Sequence, residues 1–299
     1  DKNTALGSGS LGLNTSGALN TAVGYVALES NTTGEYNVAV GSNALDANTS
    51  GAYNTAIGVY ALDANTTAGN NTAVGMSALT ANTTGTRNTS VGKNSSYAST
   101  TGNYNSALGY QALYANTTGS HTTAIGDHAL ANNTTASYNT AVGQSTMAAN
   151  TTGQQNTAVG ALALDANTTA SYNTAIGYQC LSLNTSGEGN SCLGRWALYS
   201  NTTGSNNDAY GMNALLYNTT GSNNIAVGVN ALYNNTTASD NTAVGRQALQ
   251  GNTTGAYNTA IGYQALVANT TANYNTVVGY GAADSITTGT DNVAIGASA

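Results

Sequence analysis

The residues best suited to chemistry in this chain recur at intervals rather than gather in one place. In one column, spaced by multiples of 17, an Asn-Thr-Thr or Asn-Thr-Ser triplet returns fifteen times, at Asn14, Asn31, Asn48, Asn65, Asn82, Asn116, Asn133, Asn150, Asn167, Asn184, Asn201, Asn218, Asn235, Asn252 and Asn269. Each is an acceptor pattern for N-linked glycan, so one expectation is a column of sugars on a chain made by a glycosylating host. The other is that Asn and Thr serve the turn and a ladder of hydrogen bonds between neighbouring segments. The threonine after each Asn (Thr32, Thr49 and Thr66, for instance) makes a column of hydroxyls. Flat threonine arrays are one means of binding ice, although here the threonine sits between Asn and Thr or Ser in turn-like surroundings.

Other reactive groups are sparse. Cys180 and Cys192 are the two cysteines, and they can form a disulfide or remain two buried thiols standing in for alanines. His121 and His128 are the two histidines, with no Cys or carboxylate cluster recurring beside them. Asp46, Asp63 and Asp165 share one place in the repeat, which reads as a solvated column rather than an acid–base pair. The expectation is therefore a chain that is not an enzyme and that holds neither metal nor cofactor. Nineteen Tyr against no Phe is unusual, and the tyrosines also fall in columns, including Tyr36, Tyr53, Tyr104, Tyr138, Tyr257 and Tyr274. A phenol suits a half-exposed groove, either stacked on its neighbour in the next segment or offered to a glycan or partner surface.

What positions these groups is a strict repeat. The Gly that ends the motif N-T-A-(V/I/L)-G stands at residues 7, 24, 41, 58 and onward to 296, always 17 apart, in 18 copies. Numbered from the Asn of that motif, the consensus is N-T-A-V-G-Y-Q-A-L-x-A-N-T-T-G-x-Y, with Gly at position 5 in all 18 copies and Thr at position 13 in all 17. Two leading residues, about 17 full repeats and eight trailing residues account for residues 1–299 as a single array with no separate domains. Seventeen residues are too few for a helix pair with its turns but enough for short strands and corners. β-branched residues and Gly in every copy oppose a helix. The fold class expected is all-β, a parallel β-solenoid or β-roll of 17-residue coils. With coils about 4.8 Å apart, 17 of them would stack to roughly 80 Å.

Positions 1–4 and 8–11 read as short strands, with corners at the Gly of position 5 and the Gly or Ala of position 15. Both 3 and 4 are apolar, as are 8 and 9, giving a small series (Ala at 3 and 8) and a bulky series (Val or Ile at 4, Leu at 9). One series should line the interior while the other forms an outer stripe of the kind that marks an interface. Cys180 and Cys192 replace alanines of the small series in adjacent copies, which favours that series as the interior. The opposite assignment is also open.

Composition narrows the partners. Charged residues are 6% of the chain, the net charge is −7 and only five residues are basic, so no stripe exists to neutralise the phosphates of a nucleic acid. No apolar run approaches the roughly 18 residues a membrane helix needs, so no membrane insertion is expected. The chain opens on Asp1 without a signal peptide, as a processed chain or a fragment would. Neither end carries a polar capping sequence, and with apolar residues on both strand faces the expected partner is the chain itself, laterally or end to end.

The segment Asn54-Thr55-Ala56-Ile57-Gly58, echoed at Asn258-Thr259-Ala260-Ile261-Gly262, resembles the head repeats of YadA-like trimeric autotransporter adhesins. Those carry an S-V-A-I-G-type strand and a small residue three positions after the Gly, matched here by Ala61 and Ala265. The likeness extends over every copy. It departs in length, since the family's repeat is shorter and the extra residues here lie in the N-T-T-G turn. Similar repeats also look like those of phage and algal-virus fibres. The resemblance implies a left-handed β-roll, trimeric, on a cell or virion surface. Together these readings point to an extracellular structural fibre or stalk module. The alternatives are an adhesin head recognising surface glycans or matrix and, less favoured, an ice-binding protein.

Overall fold

A computed structural model describes residues 2–299, so Asp1 lies outside the described residues. They form two compact units, one ending at Thr152 and the other running Gly153–Ala299. Each is a parallel β-solenoid whose coil is 17 residues long, and no helix occurs among the described residues. The first unit holds the strands from Thr4–Leu6 to Thr140–Val142, and the second those from Thr157–Val159 to Val293–Ile295. Within a unit every strand residue pairs with its equivalent one coil on: Thr55 with Thr72, Ala56 with Ala73 and Ile57 with Val74. A one-residue change in coil length would destroy that register, which is why the sequence tolerates none.

Each coil has one strand rather than two. Positions 2–4 are extended, but positions 8–11 are a run of turns. The reason lies in the backbone. Positions 7, 9 and 17 take left-handed angles in copy after copy, as at Val26 (φ 47), Leu28 (φ 55) and Tyr36 (φ 57). Such a conformation costs a non-glycine residue about 1–2 kcal/mol, so cooperative contacts must hold it. They are visible: the Val26 N–H donates to Ser8 O (2.9 Å) and the Leu28 N–H to Ala44 O (2.9 Å), one to the coil before and one to the coil after.

The same angles settle which side chains point inward. In a regular strand, neighbours face opposite ways. With a left-handed residue at 9, Ala at 8 and Leu at 9 both turn inside and meet the Ala of position 3. Ala22, Ala27 and Leu28 are wholly buried, and their equivalents repeat this in the coils that follow. Val or Ile at position 4 faces outward, half-buried or exposed. The small series is interior, as the cysteines favoured, but the bulky series is split, which corrects the expected division: Leu joins the alanines inside, and position 4 alone of the two forms an outer aliphatic column. Burying each Leu stabilises its coil by about 1.5–3 kcal/mol.

Gly at position 5 has a plain steric cause. Gly58 lies at φ +135, and a Cβ there would stand 2.5 Å from the carbonyl oxygen of Gly75 in the next coil. No side chain fits between backbones so close.

Candidate functional surface

The acceptor asparagines come first. Fourteen of the fifteen, Asn31 to Asn269, are completely buried, and Asn14 is half-buried. Their amides form a ladder. Asn48 Nδ2 donates to Asn31 Oδ1 (2.9 Å) in the preceding coil and to Gly51 O (3.0 Å) in its own, so both amide hydrogens are engaged. A glycan would replace one of these N–H groups and bring a sugar into a packed interior. At the fourteen buried asparagines the geometry favours the turn-and-ladder role over a glycan column.

A second ladder, not anticipated from sequence, runs beside the first. The motif Asn at position 1 accepts the backbone N–H of the next such Asn, as Asn20 Oδ1 does from Asn37 N (2.9 Å). Its Nδ2 donates to the same position-15 carbonyl that the other ladder uses: Asn20 and Asn31 both reach Gly34 O, at 2.8 and 3.1 Å. Asn in nearly every copy at position 1 was the available signal. The threonine hydroxyls of position 13 are likewise committed, Thr32 Oγ1 donating to Thr49 O (3.0 Å) and Thr49 Oγ1 to Thr66 O (3.1 Å). They serve the ladder rather than stand free as a flat array.

Cys180 and Cys192 are joined as a disulfide with Cα atoms 6.4 Å apart, and both are buried among the interior alanines. Position 17 forms aromatic stacks, with Tyr36 on Tyr53 (4.9 Å between centroids) and His121 between Tyr104 and Tyr138 (4.8 and 5.0 Å). His128 Nδ1 lies 3.1 Å from the Asp127 carboxylate beside it. Burial, and then the charge of Asp46, raises the Asp63 pKa above the ordinary carboxylate value. At Asp165 burial also raises it, against the hydrogen bond from Ser182 (2.5 Å) and bonds from the backbone, which lower it. Among the described residues no three or more His, Cys, Asp or Glu converge as a metal site, and no helix is long and apolar enough to cross a membrane.

Among the described residues the outer surface includes a groove in each unit, lined mainly from positions 7, 10 and 11. The groove of the first unit is polar, with Gln111, Asp127, His128, Asn132 and Gln144 around Tyr114. That of the second is aromatic, lined by Gln179, Trp196, Tyr199, Ser200, Leu216 and Tyr217. Tyr217 meets Tyr233 edge-on at 5.1 Å, and the hydrogen bond between them is the first cause of a raised Tyr233 pKa. Sequence reading by columns does not find this groove, because its residues are departures from consensus. The single Trp is the one cue it offers.

No family model matches the chain, and no curated protein matches it either.

Proposed function

We propose that the chain is a structural module of an extracellular fibre or stalk, on a cell or virion surface, without enzymatic activity of its own. The observation that carries this reading is the use made of the interior. The two Asn ladders, the threonine hydroxyls and the alanine–leucine core all bind one coil to the next, so the recurring polar chemistry goes into cohesion. A buried disulfide between Cys180 and Cys192 fits an oxidising compartment. Lateral self-association uses the outward column of position 4, where Ile57 is 40% and Leu193 50% exposed, in a trimer of the kind built by the YadA-like heads it resembles. Sedimentation of the isolated chain, with gold-labelled electron microscopy of the native source, tests both parts. Trimers or filaments, and label along surface fibres, are expected. A stable monomer at micromolar concentration refutes lateral assembly, and label confined to the cell interior refutes the fibre.

A further inference from the structure

In a repeat this strict, a residue that departs from consensus without serving the coil calls for another explanation. Such departures gather on the outside of the coils that carry the second groove. Trp196 is the chain's single Trp, at a position where Asn, Gln or Ser stands in 11 of 18 copies. Tyr217 occupies position 11, which is Ala in eight of 17. Neither enters the interior, Trp196 being half-buried and Tyr217 45% exposed. The disulfide lies directly beneath in sequence terms: Cys180 follows Gln179, and Cys192 shares a coil with Trp196.

The groove is built rather than accidental. Trp196 Nε1 donates to Gln179 Oε1 at 2.8 Å, which fixes the indole and turns the Gln179 amide nitrogen toward other acceptors. The Arg195 guanidinium packs over the same ring, 3.7 Å from its centroid, so its charge is already engaged. Tyr199 and Tyr217 add phenol rings, Leu216 is nearly buried, and Ser200 supplies a hydroxyl. The groove holds about 270 Å³. Ligand pockets run to about 300–1,000 Å³, so this one suits a single ring rather than a folded peptide.

We infer that this groove is a binding site for a neutral pyranose, the terminal or internal ring of a glycan. The apolar C–H face of a sugar stacks on aromatic rings, and its hydroxyls take the Gln179 amide, the Ser200 hydroxyl and the phenols. No carboxylate lines the groove to favour a cation, and the Arg195 guanidinium beside it is stacked on Trp196. The disulfide ties the coil of Gln179 to that of Trp196, two of the three coils that line the groove, so little order has to be created there on binding. The assignment stands apart from the fibre reading, since a structural module can carry it or lack it.

The single Trp makes the test direct. The full chain is titrated with β-linked disaccharides of glucose, galactose and N-acetylglucosamine while tryptophan emission is followed, and is applied to a glycan array. A saturable emission change with at least one sugar is expected, weakened at least tenfold in Tyr217→Ala and in Tyr199→Ala. Tyr53→Ala, in the other unit, is expected to bind as the parent does. Circular dichroism establishes that each variant is folded, and the two groove variants back each other should one fail. Unchanged emission with all three sugars and an empty array overturn the assignment. So does a saturable change that both groove variants leave intact, or one that Tyr53→Ala abolishes equally.

Discussion

The coil around Ser99 is where the ladder argument can be tested most sharply. Position 12 is Asn in 15 of 17 copies but Ser at 99, and the consequence is local. Asn82 Oδ1 is buried without a hydrogen-bond partner, and so is Ser99 Oγ. Asn116 keeps its bond to Gly119 O (3.0 Å) but has no amide before it to reach. Ser99→Asn should rebuild the step. The new Nδ2 would donate to Asn82 Oδ1 and Gly102 O, and the new Oδ1 would accept from Asn116, as happens around Asn48. Leaving a buried polar group unpaired costs about 1–3 kcal/mol, and a made bond contributes about 1. Pairing Asn82 Oδ1 and removing the orphan hydroxyl should therefore stabilise the coil by about 2 kcal/mol. Stability in repeat arrays is largely local, so amide hydrogen exchange of residues 88–104 is the assay rather than a global melting point. At about 1.4 kcal/mol per tenfold, protection there should rise roughly 30-fold. The reverse change, Asn65→Ser in an intact stretch, should lose a similar amount. If Ser99→Asn leaves protection unchanged or lowers it, the ladder is not what holds the coils together.

Gly58→Ala places a methyl against the Gly75 carbonyl at φ +135 and should destabilise its unit by on the order of 3 kcal/mol, read by denaturant unfolding. Asp63 contributes a pH dependence of unusual sign. Below the ordinary Asp range both states hold the proton, while above it the unfolded chain ionises first, so stability falls as pH rises through that range toward the raised folded pKa and then levels off. Asp63→Asn should remove this fall, and urea midpoints measured across the acid range check it. The buried cystine of Cys180 and Cys192 should resist reductant in the native state and react once denaturant opens its coils. Mass spectrometry after thiol alkylation reads the outcome, and prompt labelling without denaturant would contradict the burial.

The serine-rich coil departs from consensus at three buried positions. Ser95, Ser96 and Ser99 replace Ala, Leu and Asn, which predicts weaker packing. The structure gives the form this takes: Ser96 finds Ser90 at 2.8 Å, while the Ser95 and Ser99 hydroxyls are buried and unpaired.

By itself the sequence determined the period, the parallel register and the all-β class. A stacked coil must match its neighbour residue for residue, so any solution to the ladder is written into the spacing of Gly58, Gly75 and their equivalents. It did not determine which way the side chains face. That depends on the left-handed backbone at positions such as Val26, Leu28 and Tyr36, residue types that give no local warning of it. Only the closed coil decides it, because the cost of each such angle is met by hydrogen bonds to the coils on either side. The same closure turned the acceptor asparagines from a surface column into an internal ladder, since a buried carbonyl at position 15 needs the two amide donors that only the folded coil brings together.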